Sequence, residues 1–240
     1  MTSQPVSPNA PWPKWLLPLL GWLSLAGLGL VGLIVFAFTP EEKYMRFSQK
    51  IMYLHVPSIL ATYTAFGVVF ISSIGYLWKR TPGYDRVAKC SAEVGVVYCG
   101  LVLATGSIWA KPTWNTYWDW DPRLTTTLVL FMIFVGYTLL RSFAAPGEQQ
   151  ARLAAVLGIV GGLDIPIIHL SVSWWRALHQ PSTLLKVGAD GAPKPAMPPE
   201  LLYPLLFGLV VALVFYLFLL LYRLRVEMES EALESRLADG

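Results

Sequence analysis

The sequence predicts an all-α integral membrane protein with six transmembrane helices, both termini in the cytoplasm and a short amphipathic surface helix before the second span. Of the 240 residues, 55% are hydrophobic and only 14% are charged, whereas about a quarter of an average soluble domain is charged. The mean hydropathy is +0.53. Apolar runs long enough to cross a bilayer, which takes roughly 20 residues, recur along the chain. These properties indicate that lipid is the solvent.

The predicted spans end at Pro, Gly and charged residues. They cover residues 15–38, 55–78, 92–109, 124–140, 153–174 and 201–222. The chain therefore divides into an N-terminal segment (1–14), a membrane domain (15–222) and a charged tail (223–240), which we expect to be a short solvated helix. Because no small-residue cleavage site follows the first apolar run, we interpret that run as a mature helix rather than a signal peptide.

The stretch 41–54 separates the first two spans and mixes apolar with basic residues. Its apolar residues recur every three or four positions: Tyr44, Phe47, Ile51 and Leu54. The basic residues Lys43, Arg46 and Lys50 fall between them. This spacing predicts an amphipathic helix at the membrane surface.

Chain parity places loops 1–2, 3–4 and 5–6 on one side of the membrane and both termini on the other. Lys and Arg are slightly more frequent on the side of the termini, which favours cytoplasmic termini. The net charge of +3 is small, and no basic face typical of nucleic-acid binding is present. Cys90 and Cys99 form no CxxC pair, metal-finger spacing or disulfide framework. We interpret both as small membrane-embedded residues.

The three loops on the side away from the termini contain the candidate functional residues. His55 begins the second span, a tryptophan-rich loop covers about 110–123, and Trp174, Trp175 and His179 follow the fifth span. Parity alone therefore brings two histidines and a tryptophan cluster to one membrane face.

These residue types suit haem. Two imidazoles can ligate haem iron from opposite sides, and indole faces match a flat apolar porphyrin. The propionates of haem are anions, which favours nearby Arg123 and Lys50. A zinc site needs compact His, Cys or carboxylate spacing, which the sequence lacks.

A third histidine, His169, lies inside the fifth span with Asp164 and Pro166. Asp164 and His169 are five positions apart, about 500° of helical rotation, so on a regular helix they face different directions. Ionisable residues inside a membrane are candidates for function. We favour a structural role for His169, with a hydrogen bond to a neighbouring helix.

The segment WNTYWDWDPRLT, residues 114–125, resembles the tryptophan-rich WWD signature of haem-handling proteins in cytochrome c biogenesis. Its flanks, HVPS from His55 and IIHLSVSWWRALHQ from Ile167, together with Thr105-Gly106-Ser107, resemble the CcmC family. The resemblance runs from about Gln49 to Ser182. Asn115 stands where the family usually has Gly, and Tyr117 stands where Trp is common, so the local turn geometry is the point in question.

The resemblance implies a haem-delivering subunit of the Ccm cytochrome c maturation system in the bacterial inner membrane. It implies that haem b is held at the periplasmic face and presented to the chaperone CcmE, with CcmA, CcmB and CcmD as partners in an ATP-binding-cassette complex. It also assigns residue roles. His55 and His179 match the axial haem ligands; Trp114, Trp118, Trp120 and Asp121 match the haem-contacting core; Arg123 and Lys50 match nearby basic positions.

Other functions stay open at this point. A transporter moving haem through its own helices would need a polar path, for which Asp164 and His169 are the ionisable candidates. A b-type redox subunit usually has paired histidines inside the bundle, and the related CcsA and CcmF proteins are typically larger. The sequence contains no Walker A loop, no nucleophile with a paired base and no clustered acid pair, so we expect no catalysis by this subunit alone.

Overall fold

The computed structural model describes residues 11–175, 179, 185–187 and 192–238. Within these ranges, six helices are long and apolar enough to cross a membrane, as the sequence predicts. They are α1 (Leu16–Leu33), α2 (Met52–Lys79), α3 (Pro82–Trp114), α4 (Pro122–Phe143), α5 (Glu148–Trp174) and α6 (Pro199–Ala238). Two short antiparallel strands, β1 (Leu185–Val187) and β2 (Pro193–Pro195), pair between α5 and α6.

Helix α2 is central and packs against α3, α5 and α6, while α4 packs against α5 and α3. The core contains a stacked pair of buried rings, Phe66 of α2 and Phe134 of α4, with centroids 3.6 Å apart. A Cβ at Gly95 of α3 would lie 2.5 Å from the Phe66 ring, so only glycine lets α3 approach α2 this closely. Helix α1 packs on α6 at the edge of the bundle and leaves most of its surface for lipid.

The end of α1 is held by Lys50. The helix closes with a π-helical turn, Ile34–Phe38, and Lys50 Nζ donates to the carbonyl oxygens of Val35 (2.8 Å) and Phe36 (3.3 Å). Carbonyl groups at a helix end lack partners inside the helix, and the ammonium group satisfies two of them. Lys50 therefore joins the ends of the first two spans.

The predicted surface helix over 41–54 is shorter in the structure. Residues 41–46 form a turn in which the Glu42 carboxylate accepts the backbone N–H groups of Tyr44 (2.7 Å) and Met45 (2.6 Å). Arg46 then adopts φ 49°, which no right-handed helix contains. Helical structure starts only with a 3₁₀ turn, Phe47–Ile51, that runs directly into α2.

The charged tail is helical, but one face of it is packed rather than solvated. Helix α6 continues without a break from the membrane span to Ala238, and Leu224, Met228 and Ala232 are buried. Helix α3 begins at Pro82, ten residues before the predicted span, and forms three ion pairs with α6. They are Glu93–Arg223 (2.6 Å), Lys89–Glu227 and Arg86–Glu231 (2.5 Å). The lengths of the apolar runs did not predict this extension. The residues that extend α3 and α6 are charged, and they pair with each other across the two helices.

Both cysteines, Cys90 and Cys99, are fully buried between helices. Their placement agrees with the interpretation of both as small embedded residues.

Candidate functional site

A cavity of about 670 Å³ lies between α2, α3, α4 and α5. We call it the histidine cavity, because all three histidines of the chain line it. Its lining also includes Trp109, Trp114, Trp118 and Arg123. The volume falls within the range of roughly 300–1,000 Å³ that is typical of small-molecule sites.

His55 lies in the first turn of α2 and is buried. Its Nδ1 is 3.0 Å from the Thr105 hydroxyl of α3. That hydroxyl donates its own hydrogen to the Leu101 carbonyl oxygen, at 2.6 Å, so it accepts from His55. The proton of the neutral ring is therefore on Nδ1, and Nε2 keeps the lone pair that a metal ion requires.

The His55 ring is also held by shape. A Cβ at Gly106 would lie 3.0 Å from His55 Cε1, so the bare backbone of α3 defines one wall of the ring's position. The Trp109 ring meets His55 edge-on, with centroids 5.8 Å apart. His55 is thus fixed in both orientation and tautomer before any ligand binds.

His179 is half-buried and is held by α3 and α4. Arg123 Nη1 lies 3.1 Å from His179 Nδ1, and a guanidinium group can only donate. The Trp114 ring contacts the imidazole edge-on, with centroids 6.0 Å apart. Both imidazoles line the histidine cavity.

Arg123 is positioned by the start of α4. The Asp121 carboxylate caps this helix by accepting the backbone N–H groups of Arg123 (2.8 Å) and Leu124 (3.4 Å), which is the usual role of an N-terminal Asp. Arg123 Nη2 donates to the carbonyl oxygen of His169 on α5, at 3.3 Å. The guanidinium therefore bridges α4, α5 and His179.

The tryptophans of the predicted core separate into two groups. Trp114 and Trp118 line the cavity together with Trp109. Within the described residues, the buried indole N–H groups of Trp109 and Trp118 have no acceptor. Trp120 is 73% exposed and meets Trp118 edge-on outside the cavity.

Five of the eight predicted site residues line the cavity: His55, His179, Trp114, Trp118 and Arg123. Trp120, Asp121 and Lys50 do not belong to the lining. Asp121 acts on the backbone of α4, and Lys50 binds the end of α1. The pattern of residue types could not distinguish a side chain that faces the cavity from one that supports its wall.

Asn115 makes the turn that directs the tryptophan-rich loop. It ends α3 in the left-handed conformation, φ 60° and ψ 16°, and Lys111 Nζ donates to its backbone oxygen at 3.1 Å. Glycine is the usual residue at such a position and asparagine is the next most tolerated. Asn115 is therefore compatible with this turn.

His169 is exposed and lines the cavity, whereas Asp164 of the same helix is buried. Among the described residues, the contact between His169 and a neighbouring helix is made by its carbonyl oxygen, which accepts from Arg123 Nη2. Thr105 and Gly106, whose contacts fix His55, had no assigned role in the sequence. The signal available there was the triplet Thr105-Gly106-Ser107, which belongs to the resemblance to the CcmC family.

The donor set of the cavity fits haem. The described residues contain no group of three or more His, Cys, Asp or Glu placed to hold a metal ion. An iron that brings four equatorial nitrogens needs only axial imidazoles. The indoles of Trp114 and Trp118 offer apolar faces, and Arg123 and two unpartnered indole N–H groups offer donors to an anion.

Comparison with known proteins identifies the family. The family "CcmC: Heme exporter protein C" matches residues 6–238. The "Heme exporter protein C" of Bradyrhizobium diazoefficiens is 38% identical over 193 residues, covering 80% of this chain and 73% of the relative. That of Paracoccus denitrificans is 33% identical over 223 residues, covering 92% and 90%. A "Putative cytochrome c biosynthesis ccmC-like mitochondrial protein" of Marchantia polymorpha is 34% identical over 151 residues, covering 63% and 64%. The chain therefore belongs to the heme exporter protein C family, CcmC.

Proposed function

We propose that this protein holds haem b in the histidine cavity, with His55 and His179 as axial ligands, and delivers it to the chaperone CcmE. The observation that carries the proposal is the placement of both imidazoles, two indoles and a guanidinium on one cavity of suitable volume. Membership of the family supports a role in haem handling for cytochrome c maturation.

The two histidines differ in a way that suits transfer. His55 is buried in a helix, with its proton fixed on Nδ1 by Thr105. His179 is half-buried and follows the end of α5. A carrier must bind its cargo and then release it, so one firmly oriented ligand and one more accessible ligand fit the task better than two buried ones.

The remaining predicted residues have supporting places in this proposal. Trp114 and Trp118 provide apolar contact with the porphyrin, and Arg123 provides a cation for a propionate. Asp121 and Lys50 stabilise the helix ends that frame the site. Trp120 is exposed beside Trp118, where it extends the aromatic surface outside the cavity.

We place the cavity at the periplasmic face of the bacterial inner membrane, with both termini in the cytoplasm. In this setting CcmE receives haem outside, while CcmA, CcmB and CcmD complete the ATP-binding-cassette complex. The protein itself handles haem and does not transform it. The name of the relatives, heme exporter protein C, supports membership of an export complex.

The first test is the absorption spectrum of the purified protein from haem-replete cells. We expect a six-coordinate haem spectrum that weakens strongly in His55→Ala and in His179→Ala, because each removes one axial ligand. His169→Ala is the matched control, since it lines the same cavity without a proposed iron bond, and it should retain the wild-type spectrum.

The opposite result would be informative. If both alanine variants kept their haem while His169→Ala lost it, the ligand would lie deeper in the bundle. That outcome would reject the proposal and favour a transport or redox function.

A further inference from the structure

We infer that Arg123 competes with haem iron for the lone pair of His179, so that loading requires the Arg123–His179 hydrogen bond to break. Arg123 is then a positioning residue with two successive partners, an imidazole and an anion. This inference rests on the proposed function, because it takes His179 as an iron ligand. Its physical basis is the 3.1 Å contact between Arg123 Nη1 and His179 Nδ1.

The chemistry of the contact leaves one assignment. A guanidinium has five N–H donors and no acceptor, so His179 Nδ1 must supply a lone pair. The ring is then neutral, and its proton is on Nε2. Iron binding through Nε2 would need that proton to move to Nδ1, where an N–H group would face the Arg123 N–H. Iron binding through Nδ1 would use the lone pair that Arg123 occupies. Neither nitrogen can bind iron while the hydrogen bond persists.

His55 has the opposite arrangement. Its partner, the Thr105 hydroxyl, accepts because its own hydrogen goes to the Leu101 carbonyl oxygen. The proton of His55 is therefore on Nδ1, and the Nε2 lone pair is available. The two proposed axial ligands thus start from opposite tautomers, and only His179 must change partner.

Arg123 has an alternative partner when it leaves the imidazole. Asp121 fixes its backbone at the start of α4, and Nη2 remains bonded to the His169 carbonyl oxygen. Nη1 would then be a free donor on the wall of a cavity that accepts a dianionic porphyrin. A contact from guanidinium to carboxylate joins opposite charges, whereas the contact with the neutral His179 ring joins a cation to an uncharged acceptor. Exchange of imidazole for propionate therefore conserves the number of hydrogen bonds and favours the loaded arrangement.

The direct test reads the proton positions without haem. Protein labelled with ¹⁵N-histidine and purified from haem-deficient cells gives signals from only three rings, which His→Ala variants assign. We expect Nε2–H for His179 and Nδ1–H for His55. Arg123→Met should abolish the fixed tautomer of His179 and leave His55 unchanged, whereas Thr105→Val should do the reverse. If His179 of the wild-type protein carried its proton on Nδ1, the inference would be overturned. The spectrum of the wild-type protein alone decides this.

The second readout separates the competition from the anion contact. Haem dimethyl ester has no carboxylates, so Arg123 can oppose its binding but cannot form an ion pair with it. We expect Arg123→Met to bind the ester about tenfold more tightly than wild type, the equivalent of roughly 1.4 kcal/mol, and free haem no more tightly. Equal or weaker ester binding by Arg123→Met would reject the competition. If wild type binds neither porphyrin, the proposed function fails, while the tautomer measurement still decides the role of Arg123.

Discussion

At the scale of single residues, hydrogen-bond partners outside the iron ligands decide what each imidazole can do. A hydroxyl that accepts sets one tautomer in His55, and a guanidinium that donates sets the other in His179. Such partners commonly tune metal-binding histidines. The protein therefore has a built-in asymmetry between two ligands of the same residue type.

Gly106 allows a residue-scale prediction. A side chain there would start 3.0 Å from His55 Cε1, and the ring must turn away from its preferred orientation, which costs about 0.5–1.5 kcal/mol for a displaced side chain. We expect Gly106→Val to weaken haem binding by up to about tenfold, measured by titration of the absorption spectrum.

Gly100→Val on the same helix is the control. A Cβ at Gly100 would meet the Phe131 ring at 3.5 Å, an ordinary contact distance, and no histidine within 4 Å among the described residues. Equal losses of affinity in both variants would mean that the effect comes from packing of α3 in general, and not from His55.

At the scale of elements, the start of α4 depends on one capping residue, Asp121. Asp121 accepts two backbone N–H groups of this helix, and it also orients Arg123. Loss of such a cap costs about 0.5–2 kcal/mol. The carboxylate therefore acts on the site through helix geometry.

This capping role separates two explanations of Asp121. Asp121→Asn keeps the cap but removes the charge, so we expect nearly normal thermal stability and haem content. Asp121→Ala should lower the free energy of unfolding by about 1 kcal/mol and reduce haem content. Thermal unfolding in detergent and the haem spectrum measure both. A loss of haem in Asp121→Asn with normal stability would instead show that the carboxylate itself contacts haem.

At the scale of the whole molecule, sidedness is the property on which the proposed function depends. Tyr117 in the tryptophan-rich loop and Arg236 at the end of α6 are both exposed, and the native Cys90 and Cys99 are fully buried. In spheroplasts, a membrane-impermeant maleimide should label Tyr117→Cys. It should label Arg236→Cys only after the membrane is opened. The unaltered chain, with its buried thiols, is the control, and the reversed pattern would place the histidine cavity in the cytoplasm.

The number of spans and the placement of site residues on one side of the membrane could be predicted from sequence, because both follow from the number of apolar runs. Apolar runs count the helices, and parity brings His55, Trp114 and His179 to one end. Helix ends could not be predicted, because pairs such as Glu93–Arg223 extend two helices together. Trp120 and Lys50 were placed by residue type, but whether they reach the cavity depends on the turn at Asn115 and on the end of α1. The contacts of Thr105 and Gly106 with His55 could not be predicted, because they depend on the register between α2 and α3.

The ion pairs between α3 and α6 and the histidine cavity lie at different levels along α3. Glu93 pairs with Arg223 at one level of the bundle, and Gly106 contacts His55 thirteen residues further along α3. At a rise of 1.5 Å per residue these levels are about 20 Å apart, roughly two-thirds of a hydrocarbon layer about 30 Å thick. If charged pairs mark one edge of that layer, the His55 ring lies below the opposite edge, at the level of acyl chains. Because the ion-paired residues of α3 and its cavity residues lie on one continuous helix, Pro82–Trp114, the length of that helix fixes the distance between the two levels.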